Sequence, residues 1–592
     1  RRGVAWLTFW GLLTQAAAGA FFAPTVVDAA LRVGRTATDY RPFLNEFTVG
    51  WGILALAGLV SAWLLGRMAQ REQRPADSGL LRGLATLTFI WGAAWWFGAG
   101  LLEATTVPDV YVASAAILFL TLSTVVMDVI GQRLRFALFS APLWGLLPAL
   151  AVLAIIQVGE INSPLQGGAW LVWPLALAAH VWMLRRHDGT AAVKFYHAGG
   201  VWLLAFLAVA ATNGLLGLVD AAITLITAAT LSVLAAVAGL VTLLAGRLPA
   251  PIGPRAALYR LGGAGPVLGA GVAALVLATL TQDGATTPFA YIPVLNPLAL
   301  ASAAVLGVAL GWIIVVRREA AEALRPLLWN LRWVWWALVV FCLSAELART
   351  LHHLLDLPLT WDGLYATALF QALLAVLWSG LALAAMRWGR RIEIGRVWGA
   401  GPLVAGSVLA VLLANFAVDG STAWLPFVPV LNLVTLASAV VLGVSLYWLF
   451  AVKQEAAEPA RALLWSLRWA WWALLIFCLS AELARSVHHL LGMPLTWDGL
   501  YRNATFQTLL AVMWSVIALG LMLWGSRKRS RASWFAGGVL LGLTVVKLFL
   551  VDLAGAGTVA RIVSFIGVGL LILMIAFVAP APPREEVERL GD

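Results

Sequence analysis

Charged residues are scarce in this sequence. Asp, Glu, Lys and Arg make up 11% of its 592 residues, whereas 62% are hydrophobic and the mean hydropathy is +0.91. Soluble domains carry roughly 25% charged residues, so the composition excludes an ordinary soluble protein. Alternating polar and apolar segments of strand length are also lacking, which argues against a membrane β-barrel.

Cysteine is nearly absent as well. Cys342 and Cys478 are the two cysteines, and both lie in apolar segments, so a disulfide framework and a cysteine metal motif are excluded. The sequence has no G-x-S-x-G, P-loop, Cys-x-x-Cys or haem-attachment motif. We therefore expect no cofactor and no resident metal. Whether the chain is an enzyme stays open, with a non-enzymatic function favoured.

Long apolar runs dominate what is present. A helix rises about 1.5 Å per residue, so runs of roughly 20 residues can cross the hydrocarbon core of a bilayer. The sequence predicts an all-α polytopic membrane protein with eighteen transmembrane helices. They lie near 4–24, 46–66, 82–103, 110–131, 137–158, 166–184, 197–218, 221–245, 264–281, 297–316, 332–355, 362–387, 400–417, 433–452, 468–491, 498–524, 534–551 and 559–579.

An internal repeat organises these helices. Residues Trp329–Ser379 return at Trp465–Ser515, 136 positions later, with 38 of 51 positions identical. An even number of spans per repeat predicts parallel repeats, related by an axis along the membrane normal. The predicted divisions are degenerate repeats 1 (1–135) and 2 (136–254), repeats 3 (255–390) and 4 (391–526), and a two-helix carboxy-terminal segment with a tail (527–592).

The net charge of +11 reflects topology rather than nucleic-acid binding. Most of the 39 Lys and Arg residues fall on the side that holds the amino terminus and the loops after even-numbered helices, including Arg317-Arg318 and Arg390-Arg391. The positive-inside rule makes that side cytoplasmic. We expect a multi-pass protein of the bacterial inner membrane with both ends in the cytoplasm, in contact with membrane lipids.

Ionisable side chains recur in the eleventh and fifteenth predicted helices. Their spacing of i, i+4, i+7 and i+11 places them on one helical face. Charged groups inside a membrane cost about 2.5–3.5 kcal/mol on insertion scales and normally face protein or a water-filled cavity. The two sets are Cys342, Glu346, Arg349 and His353 with His352 beside them, and Cys478, Glu482, Arg485 and His489 with His488 beside them.

Three interpretations of these sets stay open. A Glu–Arg pair at i,i+3 could simply stabilise helix packing, with the histidines at the outer end. The same groups could instead line an outward-facing pocket in which Arg349 and Arg485 bind an anionic or hydroxyl-rich ligand. A His-His-Glu metal site is less favoured, because adjacent histidines on a helix diverge by about 100°.

Further polar residues are expected on the same side of the membrane. Asn296 and Asn432 follow prolines and are placed to cap the tenth and fourteenth helices, while Asp362 and Asp498 begin the twelfth and sixteenth. Each is a candidate substrate-binding residue as well as a cap. Repeats 1 and 2 are expected to lack the acid, since aromatic residues stand around Trp95 and Trp96.

The carboxyl end carries a more specific pattern. Lys547-Leu-Phe-Leu-Val-Asp552-Leu-Ala-Gly followed by Arg561-Ile-Val-Ser-Phe-Ile-Gly resembles the closing signature of the bacterial membrane-protein family called domain of unknown function 2339. Lys547, Asp552 and Arg561 could form a closing ion pair. The Pro-x-x-Asn loops at 293–296 and 429–432 are similar to that family's repeated element, although Leu433 replaces its second proline.

The resemblance implies a large, many-helix inner-membrane protein, often with a charged segment before the helices. The chain begins with Arg1-Arg2 and no Met, so we expect that such a segment is missing and that it could bind protein partners. The function predicted is transport or handling of an amphipathic or lipid-linked envelope substrate through extracytoplasmic polar pockets. The alternatives are an integral-membrane enzyme that acts on a lipid carrier and an envelope scaffold.

Overall fold

The computed structural model of the protein is helical throughout its described part. The described residues are 2–33, 41, 43–187, 193–286, 290–388, 396–417, 419–421, 427–548 and 550, with a few isolated positions beyond. No β-strand occurs within these residues. The all-α fold class predicted from the apolar runs is therefore confirmed.

Seventeen long helices follow one another along the described chain, and we number them in order. They are α1 Arg2–Val33, α2 Glu46–Arg71, α3 Pro75–Ala104, α4 Asp109–Leu134, α5 Ala137–Ile161, α6 Ala169–Arg186, α7 Val193–Gly217, α8 Ile223–Arg247, α9 Gly253–Thr281, α10 Pro297–Glu319, α11 Arg325–Leu355, α12 Ala368–Trp388, α13 Arg396–Ala417, α14 Leu433–Glu455, α15 Ala460–Leu491, α16 Ala504–Arg527 and α17 Arg531–Lys547.

Fourteen of these helices are long and apolar enough to cross a membrane. They correspond to fourteen of the eighteen predicted spans. Helices α1, α6 and α17 coincide with three more of the predicted spans, but they are not among the helices that are long and apolar enough to cross a membrane. The predicted span 559–579 lies almost wholly outside the described residues, so the count of eighteen stays a prediction.

The exposed surface of these helices is itself apolar. Between 11% and 50% of each span's most apolar stretch is buried inside the protein, and large side chains such as Phe21, Ile155 and Phe416 are exposed. Contiguous apolar surface on this scale is incompatible with a water-soluble monomer. A lipid environment is what covers it.

Contacts divide the chain into two compact bodies, Arg1–Trp335 and Trp336–Asp592, with the boundary inside α11. In the N-terminal body, Leu143, Leu150 and Met183 of α5 and α6 are almost fully buried. Helices α2 and α3 approach closely where Gly58 meets Gly92, since a Cβ on Gly58 would lie 2.8 Å from the Gly92 Cα. Small residues at helix contacts are the usual means of packing in membranes.

The C-terminal body has its main core between α12, α13 and α14. Ala382, Ala400 and Val452 are fully buried there, and Trp448 packs beside them with its indole N–H bonded to the Val397 carbonyl at 3.0 Å. Helices α13 and α14 run from this core to a loop that holds Pro429 and Asn432. We call the end of the body at which α13 ends and α14 begins the Asn-loop end.

The predicted starts of the twelfth and sixteenth helices, at 362 and 498, are wrong. Trp361–Tyr365 and Trp497–Tyr501 form separate π-helical turns, and the following helices begin at Ala368 and Ala504. Gly363, inside the first of these turns, has non-helical backbone angles, φ −89° and ψ −108°. The cause is local, because Thr360 and Thr496 cap the starts of these turns by accepting the Gly363 and Gly499 amides.

Candidate functional site

A buried carboxylate organises the Asn-loop end of the C-terminal body. Glu482, on α15, is 7% exposed and accepts hydrogen bonds from the Val430 amide at 2.7 Å and from Asn432 Nδ2 at 2.9 and 3.0 Å. The Thr435 hydroxyl donates to the same carboxylate. Asn432 in turn caps α14, because its Oδ1 accepts the Thr435 amide at 3.0 Å.

Arg485 supplies the opposing charge and is 2% exposed. Its Nη2 lies 3.1 Å from Glu482 Oε2, and its Nη1 donates to Asn415 Oδ1 on α13 at 2.9 Å. The pair therefore joins α13, α14 and α15. We call Asn415, Asn432, Thr435, Glu482 and Arg485 the Glu482 network.

The network compensates a strained backbone. Val430 has φ +69°, in the left-handed region that a β-branched residue rarely occupies. Such a conformation costs on the order of 1–3 kcal/mol and persists only where surrounding contacts enforce it. The bond from the Val430 amide to Glu482 is a contact of this kind, so the carboxylate holds the loop in shape.

The same arrangement occurs in the N-terminal body, which corrects the expectation that repeat 1 lacks the acid. Glu103, at the end of α3, is 5% exposed and accepts from the Phe43 amide at 3.3 Å, from Asn45 Nδ2 at 3.1 Å and from the Thr48 hydroxyl at 3.3 Å. Phe43 has φ +61°, like Val430.

The position of this acid could not be read from a fixed offset. Glu103 follows its asparagine by 58 positions, whereas Glu482 follows Asn432 by 50. Helix α3 places its acid in the last turn and contains a π-helical segment, Trp95–Ala99, which shifts the register of the side chains beyond it. The expected place around Trp95 and Trp96 was therefore about two helical turns too early.

The candidate residues of the predicted repeat 3 lie at a helix cap, in a buried pair and at a helix end. Asn296 is 2% exposed and caps α10, its Oδ1 accepting the Ala299 amide at 2.8 Å, so the predicted cap is confirmed. Glu346 and Arg349 are buried and lie 3.6 Å apart. The Nδ1 of His352 bonds to the Leu357 carbonyl, and its ring centroid is 4.7 Å from that of His353.

The remaining candidates do not join the Glu482 network. Asp362 and Asp498 are exposed, and Asp498 pairs with Arg502 at 3.2 Å. Lys547 donates to the Gln507 carbonyl at 2.8 Å. Asp552 and Arg561, the other members of the predicted closing ion pair, lie outside the described residues.

Family comparison agrees with this architecture. A family model described as "Predicted membrane protein (DUF2339)" matches residues 4–413 and 396–582. The chain belongs to this family. It is a membrane protein, in agreement with the family description and with its long apolar helices. Comparisons with curated proteins and with solved structures gave no match.

Within this member of the family, the Glu482 network favours a structural use of the Glu–Arg pair. Arg485 directs its guanidinium donors at Glu482, Asn415 and Thr435. A ligand would have to displace these bonds to bind the guanidinium directly. Glu103, Thr435 and Asn415 were missed by sequence reasoning, although the Pro-x-x-Asn loops pointed to the end of the helices where they lie.

Proposed function

We propose that this protein binds and handles an amphipathic, lipid-linked substrate of the bacterial cell envelope in the inner membrane. In this proposal the apolar chain of the substrate occupies a groove on the C-terminal body, and its polar head lies at the Asn-loop end. The observation that carries the proposal is that an apolar groove and a polar cluster occur along the same helices.

The groove measures 520 Å³ and lies between α13, α14 and α15. Val404, Val408 and Leu412 line it at successive turns of α13, and Trp471 and Phe477 line it from α15. It extends from Gly401 to Leu412, roughly 16 Å at 1.5 Å per residue, or about half the hydrocarbon thickness. Its lining is almost entirely apolar, which suits a hydrocarbon chain and not a soluble metabolite.

The groove leads toward the polar end of the body. Leu412 precedes Asn415 of the Glu482 network by about one turn of α13, roughly 4.5 Å along the axis. Phe477 stands next to Cys478 and five residues before Glu482. A lipid in the groove would place its head group beside these polar residues. Since Arg485 is already bonded within the protein, we assign it to positioning the loop that meets the head group.

The distribution of basic residues in the sequence indicates which end of the helices faces the cytoplasm. Basic residues cluster at the opposite end of the helices from the Asn loops, as at Arg317-Arg318 in the last turn of α10, Lys453 in the last turn of α14 and Arg527-Lys528-Arg529 at the end of α16. The positive-inside rule assigns that end to the cytoplasm. The Asn-loop end then faces the extracytoplasmic side.

The test is mass spectrometry of lipids that remain bound to the purified protein. Ala473 is exposed and lines the groove, so Ala473→Trp fills it. Leu479→Trp is the matched control, because Leu479 lies on the same helix, is 39% exposed and is not part of the groove lining. We expect a lipid species that is present in the wild type and in Leu479→Trp and is lost from Ala473→Trp. Equal lipid content in all three proteins would refute the groove as the binding site.

A further inference from the structure

Three side chains with metal-binding chemistry meet at the Asn-loop end of the C-terminal body. Asp419, in the loop after α13, and His488 and His489, in the last turn of α15, each offer a ligand atom within 4.8 Å of the other two. We propose that these three residues form a binding site for a divalent transition-metal ion, with Zn²⁺ as its representative. The proposal goes beyond the lipid-handling function, because metal uptake needs no lipid.

Adjacent histidines on a regular helix point about 100° apart, yet these two rings come together. Their centroids are 4.6 Å apart. Helix α15 ends at Leu491, and Gly492 takes φ +66°, which turns the chain back so that the Met493 carbonyl reaches the Nδ1 of His488. The ring of His489 is stacked against Phe427, with centroids 4.2 Å apart.

The hydrogen bonds of the two rings prepare them as ligands. A carbonyl oxygen only accepts, so His488 Nδ1 must donate to Met493, and His489 Nε2 must donate to the Asp419 carbonyl at 3.0 Å. In a neutral imidazole the other nitrogen then carries the lone pair that a metal requires. Metal-binding histidines in proteins almost always donate their second N–H to a carbonyl or carboxylate in this way.

Two hydrogen bonds orient the Asp419 carboxylate. The Ser421 amide and hydroxyl donate to its Oδ1 at 3.0 and 2.9 Å. Two imidazoles and one carboxylate form the ligand set of one class of catalytic zinc sites and of the non-haem iron facial triad.

The Glu482 network supports the loop that carries this carboxylate. Gly420 has φ +81°, and a Cβ at that position would lie 3.0 Å from Arg485 Cδ and 3.5 Å from Asn432 Oδ1. The Asp419-Gly420 backbone therefore rests directly on the buried network. The positive charge of Arg485 in this network does not repel a bound cation, because Glu482 neutralises it at 3.1 Å.

Little movement is needed for an ion to bind. Ligand atoms of a tetrahedral zinc site lie about 3.4 Å apart, given metal–ligand distances of about 2.1 Å. The three ligand atoms already lie within 4.8 Å of one another, so rotation of partly exposed side chains can close the site. Three protein ligands leave at least one coordination position for water or for an anionic group.

The sequence repeats the same three residue types 136 positions earlier, as Asp283, His352 and His353. The recurrence matters for the experiment, because an ion bound through Asp283, His352 and His353 would add to the total metal bound per chain. The measured quantity is therefore the change in bound metal when the later set is altered.

The experiment is equilibrium dialysis of the full chain in detergent against Zn²⁺ after treatment with a chelator, with bound metal measured by elemental analysis. Asp419→Asn and His489→Gln are the test variants. Asp498→Asn is the control, since it removes an exposed carboxylate that pairs with Arg502. We expect each test variant to hold one Zn²⁺ per chain fewer than wild type, or to bind that ion at least about tenfold more weakly, and the control to match wild type.

The outcomes are decisive in both directions. Loss of one ion per chain in both variants, with an unchanged elution volume on size exclusion, supports the site. No Zn²⁺ uptake by wild type, or equal uptake by wild type and both variants, overturns it. Lipid retention is measured on the same preparations, so a failure of the metal site is distinguished from a failure of the lipid-binding proposal.

Discussion

Replacing Glu482 by Gln should destabilise the C-terminal body more than any other single isosteric change at the Asn-loop end. The substitution keeps the shape of the side chain but leaves Arg485, which is 2% exposed, without its 3.1 Å counter-charge. Removal of one partner from a buried ion pair costs about 3–5 kcal/mol. It also turns an amide N–H₂ toward the Thr435 hydroxyl and the Arg485 guanidinium, which donate to the carboxylate in the native protein.

The assay is thermal unfolding in detergent, followed by tryptophan fluorescence. With roughly 2–4 °C of melting temperature per kcal/mol for a unit of this size, Glu482→Gln should melt about 6–20 °C below wild type. Glu458→Gln is a matched control, because Glu458 forms an i,i+3 pair with Arg461 whose side chains are 62% and 43% exposed. An exposed pair contributes about 0–1 kcal/mol, so this control should melt close to wild type.

A second substitution separates charge burial from loss of shape. Arg485→Met in the Glu482→Gln background removes the uncompensated cation, and we expect it to recover much of the lost melting temperature. If Glu482→Gln and Glu458→Gln melt together, or if the double variant melts no higher than Glu482→Gln alone, then the buried pair does not hold the three helices together.

Three further predictions follow from the same end of the body. Val430→Gly should raise the melting temperature, because glycine relieves a left-handed conformation that costs on the order of 1–3 kcal/mol; a lower melting temperature would show that no strain is stored there. Ser421→Ala should raise the pKa of Asp419. In wild type the Ser421 hydrogen bonds help to hold the pKa of Asp419 below its ordinary value, so the ionised carboxylate stabilises the folded protein above the pKa of the unfolded chain, and this stabilisation is lost as pH falls through the folded pKa. Wild type should therefore lose more stability than the variant when pH drops below about 4, as pH-dependent melting will report. In a chain without its native cysteines, a membrane-impermeant maleimide should label Ser421→Cys and not Arg318→Cys in intact cells, and the reverse pattern would invert the topology.

Local sequence determined the helices because a helix depends on neighbours within a few positions. Apolar runs of sufficient length predicted seventeen helices that the structure contains. The caps at Asn296 and Asn432 were predicted for the same reason, since an asparagine before a helix bonds an amide three residues on. The predicted helix starts at 362 and 498 were wrong, because a separate threonine-capped turn, Trp361–Tyr365 or Trp497–Tyr501, precedes each helix.

Only the tertiary structure decided which polar groups meet. Glu103 could not be matched to Asn45 from a repeat offset, because helix length and a π-helical segment change the register of α3. Asn415 and Thr435 join Arg485 across three helices, and no spacing along the chain encodes that contact. The approach of Asp419 to the histidines of α15 depends likewise on how α13 packs beside α15. Sequence determines helices and their caps through local bonds, whereas a site built from several helices exists only after they pack.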